Sequence, residues 1–202
     1  MASQDEPALG KDSTIVIIGA GLAGIRAGFG VREAGFEGSI LLLSDEAYPP
    51  YDRPPLSKAV LIEDGHAAKI DLASDAELKR ARVDLRLSSR CEVIDREAME
   101  VILAGGERIP YDRLVLATGS SIRTLPDLPY GAPGVHYLRT LDDALTLKQA
   151  MAQAKSVAII GAGVVGLEAA AVMASGGRSV LVIDPSSRAM SRAASVPLTD
   201  YL

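Results

Sequence analysis

The chain contains one glycine-rich pattern twice, and each copy lies between an apolar run and a helix-like stretch. The first copy, GAGLAG at 19–24, follows the apolar residues 13–18, and the second, GAGVVG at 161–166, follows 156–160. A GxGxxG pattern by itself is weak, but a buried strand before it and a helix after it predict a β-α-β unit. Such a unit binds a dinucleotide pyrophosphate at the helix N-terminus, so the chain is predicted to have two dinucleotide sites.

Each glycine of the pattern has its own expected task. The first allows a tight turn, the second lets a pyrophosphate approach the backbone, and the third lets the helix pack close to the sheet. The expected dinucleotide contacts are therefore Gly19, Gly21 and Gly24 in the first unit and Gly161, Gly163 and Gly166 in the second.

An acidic residue follows the second strand of each unit. Asp45 comes 21 residues after Gly24, and Asp184 comes 18 residues after Gly166. A carboxylate at this place accepts hydrogen bonds from ribose hydroxyls and repels a 2′-phosphate, which favours NADH over NADPH in the second site. Two dinucleotides in one chain predict a relay, in which one brings a hydride and the other is a resident acceptor, most simply a flavin.

The residues between the two units predict a mixed structure. Four prolines within residues 49–55 predict a rigid extended loop, with a short helix beginning near Leu56. From 83 to 108 the apolar residues alternate with polar ones, and we interpret this stretch, including 83–87 and 101–103, as a small antiparallel meander. The further expected elements are a helix at 75–82, a buried strand at 114–117 and a helix at 142–154.

Composition narrows the class of protein. The hydrophobic fraction of 48%, with two Phe and no Trp, favours helices packed on a parallel sheet. A net charge of −5 argues against nucleic-acid binding, which needs a basic surface. The single cysteine, Cys91, excludes a disulfide within the chain, and His66 and His136 lie too far from other ligands to indicate a metal site.

The sequence does not favour a membrane protein. The most apolar stretch, 157–174, is nearly long enough to span a bilayer, but it contains Glu168 and three glycines and is read as a buried β-α unit. The first residues lack a basic region followed by an apolar core, so no secretory signal is expected. We expect a cytoplasmic protein.

Three further stretches carry a resemblance to a known family. ATG at 117–119 resembles the second flavin-contacting segment of FAD/NAD-linked flavoproteins with two dinucleotide domains. RPPLSK at 53–58 is similar to the loop beside the isoalloxazine in the ferredoxin reductases that feed Rieske-type oxygenases and bacterial haem monooxygenases. YLRTLDDA at 137–144 is similar to the segment that leads into their NADH domain. The resemblance runs from about Thr14 to Asp184.

The resemblance implies FAD and NADH as cofactors, and it implies which residues hold them. Lys58 would lie near flavin N5, where a cation stabilises the negative charge of reduced flavin. Glu168 would lie close to the nicotinamide, in the first helical turn, where the helix dipole favours a carboxylate. Alternatively, Lys58 is a solvated lysine and Glu168 a dipole partner without a cofactor. The implied FAD residues are Gly19, Gly21, Gly24, Asp45, Arg53, Lys58, Ala117, Thr118, Gly119 and Arg123; the implied NADH residues are Gly161, Gly163, Gly166, Glu168 and Asp184.

The implied function is electron transfer from NADH through FAD to a ferredoxin or rubredoxin-type iron–sulfur protein. The dithiol relay of disulfide reductases needs cysteines in the loop that here holds Ser57 and Lys58, so the electrons would leave the flavin directly. Two alternatives stay open: an NADH oxidase or nitrite-reductase-type flavoprotein subunit, and a non-catalytic truncated nucleotide-binding fragment. Two interpretations of the basic residues of this region stay open: they form a docking face for an acidic ferredoxin, or they are plain solvated surface. These residues are Lys79, Arg80, Arg82, Arg86 and Arg90.

The predicted fold class is α/β, with two Rossmann-like units, a small antiparallel meander and an incomplete second unit. Residues 1–12 are expected to be a disordered leader, 13–122 the first segment of an FAD-binding domain, and 123–202 an NADH-binding domain. In the family the NADH domain continues beyond Asp184, so we expect a fragment of a chain about twice as long, with an uncovered apolar face and an unpaired sheet edge. Such a fragment is expected to hold FAD poorly and to lack turnover.

Overall fold

The computed structural model describes residues 9–62 and 69–199, which form two compact units. The described residues of Met1–Asp52 and Asp71–Ser120 make up the first unit, and those of Arg53–Ile70 and Ser121–Leu202 the second. The strands are β1 (Thr14–Ile18), β2 (Ser39–Leu43), β3 (Val83–Arg86), β4 (Cys91–Asp95), β5 (Glu100–Leu103), β6 (Arg108–Pro110), β7 (Arg113–Leu116), β8 (Ser156–Ile160) and β9 (Ser179–Ile183). The helices are α1 (Leu22–Glu33), a 3-10 helix (Pro54–Ser57), α2 (Ala59–Ile62), α3 (Asp75–Arg80), α4 (Leu141–Gln153), α5 (Val164–Ser175) and α6 (Val196–Thr199).

The first unit is built on a parallel sheet with the strand order β3-β2-β1-β7. A second, antiparallel sheet of β4, β5 and β6 packs on one of its faces. Because β1 and β2 are covered on both faces, their sequences are continuous apolar runs rather than alternating ones. One face of the sheet packs with α1 through Ile15, Ile17, Ile25, Ile40 and Leu42. The other face packs on the meander through Val16, Ile18, Leu41, Leu43, Val101, Leu103, Ile109 and Tyr111.

The prediction that 83–87 belongs to the meander is wrong. Strand β3 pairs in parallel with β2, with Ile40 beside Val83 and Leu43 beside Arg86, and only β4, β5 and β6 form the meander. An edge strand whose one face meets the core and whose other face meets water has the same period-two pattern as a meander strand. The pattern alone therefore could not assign β3 to its sheet.

The second unit contains the parallel pair β8 and β9, joined by α5, together with α4, the 3-10 helix and α2. Along both strands, residues that are partly buried alternate with residues that are exposed, so one face of the strand pair is partly covered and the other is exposed. Ile160 is 53% exposed, Leu181 61% and Ile183 48%. Since Ile160 pairs with Ile183, these side chains share one face of the two-stranded sheet. The apolar face that the sequence predicts to be uncovered is therefore exposed.

The predicted fold class is confirmed, and most element boundaries differ from the expected ones by one or two residues. The strand expected to be buried at 114–117 is β7, which is only half-buried, with Leu116 63% exposed. Past Pro185, where no pattern was found, the chain forms the short helix α6. None of the helices in the described ranges is both long and apolar enough to cross a membrane.

The compact units differ from the expected domains in one segment. The expected first domain, 13–122, includes the proline-rich loop, but the structure groups Arg53–Ile70 with the second unit. Arg53 Nη1 donates to the backbone oxygen of Arg139 at 2.6 Å, just before α4 begins. Within the second unit, Arg53 is thus fastened by a hydrogen bond to a residue 86 positions further along the chain. The assignment of the two domains to FAD and NADH stays a prediction.

Arg32, in the last turn of α1, ties together two connections of the first unit. Its guanidinium donates to four backbone oxygens: Nε to Ala81 at 2.8 Å, Nη2 to Gly38 at 3.0 Å and to Arg82 at 2.9 Å, and Nη1 to Phe36. These carbonyls lie in the α1–β2 connection and just after α3. One side chain therefore holds the ends of two helices against the start of β2.

We predict that Arg32→Ala lowers the free energy of unfolding by about 2–3 kcal/mol, because several partly buried carbonyls lose a charged donor. Urea unfolding followed by circular dichroism measures this change. Arg26→Ala, at an exposed position of the same helix, is the matched control and should change stability by less than about 0.5 kcal/mol. Equal losses in the two variants would contradict the assignment.

Candidate functional site

The two glycine patterns adopt the same turn. The first glycine of each pattern has a positive φ, +106° at Gly19 and +111° at Gly161, which a residue with a side chain rarely adopts. Its N–H donates to the last carbonyl of the unit's second strand, from Gly19 to Leu43 at 2.8 Å and from Gly161 to Ile183 at 2.7 Å. The tight strand-to-helix turn predicted from the sequence is present in both units.

The third glycine is required by the turn itself. A Cβ on Gly24 would lie 1.8 Å from the backbone oxygen of Gly19, and one on Gly166 would lie 2.0 Å from that of Gly161. In contrast, a Cβ on the second glycine, Gly21 or Gly163, would meet no atom within 4 Å. The second glycines therefore face open space beside the helix N-terminus, as a ligand that approaches the backbone would require.

The helices that follow the two turns begin without side-chain caps. Gly21 precedes α1 and Gly163 precedes α5, and neither helix has an acidic residue in its first turn. Helices α3 and α4, by contrast, begin with complete capping boxes from Ser74 and Thr140. The first-turn N–H groups of α1 and α5 are thus left for an external anion, and the residues present fit a dinucleotide pyrophosphate.

The two acidic residues, similar in sequence, are not equivalent in structure. Ile18 pairs with Leu43 and Ile160 pairs with Ile183, so Asp184 follows its strand immediately. In the first unit that place belongs to Ser44, and Asp45 lies one residue further on, exposed. The number of residues between the third glycine and the acidic residue does not reveal this difference of one position, because the connections that follow α1 and α5 differ in length.

Both carboxylate oxygens of Asp184 accept hydrogen bonds from backbone N–H groups. Its Oδ2 accepts from the N–H of Ala162 at 2.8 Å, and its Oδ1 accepts from the N–H of Ser186 at 2.8 Å. These hydrogen bonds, that of Ala162 first, hold the pKa of Asp184 below its ordinary value. The carboxylate borders a cleft of about 270 Å³ that Gly163 and Arg192 also line. Because each oxygen receives one N–H, lone pairs are left for further donors.

Lys58, Glu168 and Ser57 meet in the second unit. Lys58 Nζ lies 2.9 Å from Glu168 Oε1, and Ser57 Oγ donates to Glu168 Oε2 at 2.6 Å. The hydrogen bond from Ser57, followed by that from Lys58, lowers the pKa of Glu168. Lys58 and Glu168 are among the residues predicted from the sequence, but Ser57 is not. Its position next to Lys58 in a rigid loop could have indicated that it lies at the same site.

The expectation that Glu168 lies in the first turn of its helix is wrong. Helix α5 begins at Val164, which makes Glu168 its fifth residue, and the dipole effect falls off within the first turn. Its charge is stabilised by the side chains of Ser57 and Lys58 instead.

The remaining predicted residues divide between the units. In the first, a Cβ on Gly19 would lie 2.3 Å from the backbone oxygen of Ala117, so the ATG turn packs against the first glycine. Thr118 and Gly119 are exposed, and Gly119 has φ +69°. Arg53, Lys58 and Arg123 belong to the second unit, where Arg123 is exposed.

Other candidate groups do not assemble into a site. Across residues 9–62 and 69–199 no cluster of three or more His, Cys, Asp or Glu residues has the geometry to hold a metal. His66 lies outside the described residues. Cys91 is half-buried, and burial raises the pKa of its thiol. Among the basic residues considered for docking, Arg86 is paired with Glu107 at 2.8 Å.

A network of hydrogen bonds surrounds Asp143, which is 6% exposed and is not among the residues predicted from the sequence. Its Oδ1 accepts from the Tyr130 hydroxyl at 2.6 Å, and its Oδ2 from the N–H groups of Arg139 at 2.9 Å and Thr140 at 2.8 Å. Burial raises the pKa of Asp143, but these hydrogen bonds outweigh it, and the resulting pKa is lowered. The signal was the capping box of α4, in which Asp143 stands three residues after Thr140.

In both units a β-α-β turn leads into a helix with an open N-terminus, which is the arrangement expected of a dinucleotide site in an α/β protein. A family model described as "Pyridine nucleotide-disulphide oxidoreductase" matches residues 13–202. The chain belongs to this family.

The relatives confirm the resemblance found in the sequence. The chain is 40% identical over 195 residues to the ferredoxin–NAD(+) reductase component of the p-cumate 2,3-dioxygenase system of Pseudomonas putida, covering 96% of this chain and 48% of that protein. It is 42% identical over 188 residues to rhodocoxin reductase of Rhodococcus erythropolis, covering 93% and 44%. The crystal structure of the ferredoxin reductase of the CYP199A2 system from Rhodopseudomonas palustris aligns with a TM-score of 0.88 at 40% identity, covering 94% of this chain and 46% of that one. The chain thus spans about half the length of these relatives.

We predict that Gly166→Ala destabilises the second unit by about 2 kcal/mol or more, because the new methyl group collides with the carbonyl of Gly161 and the backbone must shift. Thermal and urea unfolding measure this change. The control is Gly163→Ala in the same turn, where the methyl group meets open space and stability should change by less than about 0.5 kcal/mol. The steric assignment fails if both variants lose the same stability.

We predict that Asp143 contributes stability that depends on pH. Because its pKa in the folded state is below the ordinary value of 3.8, its contribution is present above that value and is lost as pH falls through the lowered pKa. Melting temperatures from about pH 2.5 to 6 should therefore show a gap between the wild type and Asp143→Asn that narrows in acid. Asp127→Asn, at an exposed position, is the matched control and should change the melting temperature little at neutral pH; a constant gap for Asp143→Asn would contradict the prediction.

Proposed function

We propose that the chain takes part in electron transfer from NADH through FAD to a ferredoxin or rubredoxin-type iron–sulfur protein. The observation that carries this proposal is the repetition of one turn, with an open second glycine and an uncapped helix, in each of the two units. The names of the relatives support it, since they include reductases of ferredoxin and a rubredoxin–NAD(+) reductase of Pseudomonas putida that is 39% identical over 178 residues.

FAD is assigned to the first unit. The N–H groups at the start of α1 would hold its pyrophosphate, and the carboxylate of Asp45 would accept hydrogen bonds from its ribose. Bound there, FAD supplies the step between hydride chemistry and single-electron chemistry. The residues of the first unit proposed to hold it are Gly19, Gly21, Gly24, Asp45, Ala117, Thr118 and Gly119.

NADH is assigned to the second unit, at the N-terminus of α5. Gly161, Gly163 and Gly166 would form the pyrophosphate site, and Asp184 would discriminate against a 2′-phosphate. This discrimination is supported by the position of Asp184, directly after β9 and bordering the cleft that Gly163 also lines. Because both of its oxygens are already anchored to backbone N–H groups, the carboxylate would present its remaining lone pairs in a fixed direction.

Lys58 and Glu168 are proposed as the catalytic residues. A protonated lysine beside the flavin ring stabilises the negative charge that the ring gains on reduction, most strongly where water is excluded. The ion pair with Lys58 at 2.9 Å favours the charged form of Glu168 and holds its carboxylate beside the ammonium. Glu168 would lie close to the nicotinamide.

The electrons are proposed to pass from the flavin to the iron–sulfur protein without a cysteine relay. The only cysteine of the chain, Cys91, lies in the meander at the start of β4, where burial disfavours its thiolate. A dithiol pair, which a disulfide reductase needs, is therefore not available in this chain.

The proposed location is the cytoplasm.

We predict that the chain binds NADH more tightly than NADPH and that Gly163→Ala weakens NADH binding about tenfold, because its methyl group takes the space needed by the pyrophosphate. Quenching or enhancement of NADH fluorescence measures the affinity. Asp184→Asn should reduce the preference for NADH over NADPH. The nucleotide assignment fails if Gly163→Ala binds NADH as the wild type does.

Electron transfer is tested separately, with the polypeptide purified from its own cells. It should carry FAD and reduce a [2Fe–2S] ferredoxin or a rubredoxin at the expense of NADH, which absorption spectra follow. Rapid oxygen consumption with NADH and no iron–sulfur protein would favour an NADH oxidase instead.

A further inference from the structure

Ser57 is a buried serine on a rigid segment. It is 3% exposed and ends the 3-10 helix, whose first two residues, Pro54 and Pro55, have fixed φ angles. The segment is closed by backbone hydrogen bonds from Leu56 N to Arg53 O at 2.9 Å and from Lys58 N to Pro55 O at 3.0 Å. The Cα–Cβ direction of Ser57 is therefore set by the backbone.

The hydroxyl of Ser57 has one proton and two acceptors within reach. Glu168 Oε2 lies 2.6 Å away, and the backbone oxygen of Pro54 lies 3.3 Å away. A separation of 2.6 Å falls in the range of about 2.5–2.7 Å typical of a hydroxyl that donates to a carboxylate, whereas 3.3 Å is long for a hydroxyl donor. The proton of Ser57 is thus directed to Glu168.

The two oxygens of Glu168 have different partners. Oε2 accepts from Ser57, and Oε1 pairs with Lys58. Among the described residues, Lys58 is the charged group that acts on Glu168, and its side chain is 51% exposed on a flexible stem. A lysine alone would leave the carboxylate free to rotate with the ammonium. The short side chain of Ser57 adds a second fixed point, which defines the plane of the carboxylate.

We propose that Ser57 is the positioning residue of Glu168, which fixes the orientation of the carboxylate independently of Lys58. The inference rests on the proposed function in one respect, namely that Glu168 lies beside the nicotinamide. Glu168 then stays in place through Ser57 even when the flexible ammonium of Lys58 moves. The serine thereby separates the tasks of the two charged residues.

The test is a titration of the Glu168 carboxyl group by ¹³C NMR, with its resonance assigned by its loss in Glu168→Gln. Ser57→Ala should raise the pKa of Glu168, and Ser57→Thr, which keeps the hydroxyl, should leave it close to that of the wild type. In a Lys58→Met background, Ser57→Ala should raise the pKa further, since the contribution of Ser57 is independent of Lys58. Ser57→Cys keeps the volume with a weaker donor and should also raise it.

The control is Ser89→Ala, whose hydroxyl donates to the backbone oxygen of Leu87 in the first unit. It should leave the titration of Glu168 unchanged. A pKa of Glu168 in folded Ser57→Ala and Ser57→Cys equal to that of the wild type would overturn the proposal, because Lys58 would then be the only partner that matters.

NADH affinity distinguishes a failure of this inference from a failure of the proposed function. If the wild type binds NADH, its affinity at neutral pH should fall about threefold to tenfold in Ser57→Ala, and its decline in acid should begin at a higher pH than in the wild type. If the wild type binds no NADH, the nucleotide assignment has failed, and the NMR titration still decides whether Ser57 controls Glu168.

Discussion

The contact between the first and third glycines of each pattern is the constraint on which the two units depend. A carbonyl oxygen within 1.8–2.0 Å of where a Cβ would stand brings the helix directly onto the end of the strand. That approach leaves the uncapped N–H groups beside the open second glycine. A strand, a turn and a helix thus become a place where an anion can lie against backbone donors, with no charged side chain needed in the turn.

The same turn is embedded in very different surroundings in the two units. In the first, β1 and β2 are covered by α1 on one face and by the meander on the other, and the ATG turn packs against Gly19. In the second, a Cβ on Gly161 would meet no atom within 4 Å, and Ile160, Leu181 and Ile183 are exposed. The turn geometry is therefore a local property of the sequence, whereas the burial of its strands depends on distant elements.

The proline-rich loop has a restricted backbone and leads directly into the side chains of Ser57 and Lys58. Its prolines restrict the backbone, the Arg53 guanidinium anchors it near α4, and Ser57 and Lys58 anchor it to α5 through Glu168. These partners lie 86 and 111 residues away in sequence. The proximity of Ser57 and Lys58 to Glu168 therefore depends on the packing of the second unit, to which all three residues belong.

The sequence by itself determined the two β-α-β turns and the fold class, because turns and buried strands follow from local sterics and from apolar runs. Lys58 and Glu168 were named through a resemblance, and only the structure shows that they pair with each other. The sequence did not assign β3, since an edge strand and a meander strand have the same period-two pattern. It also could not reveal that Ser44, not Asp45, is the counterpart of Asp184, or that Ser57 holds Glu168. These features depend on strand register and on contacts between residues far apart in the chain, which only the tertiary structure decides.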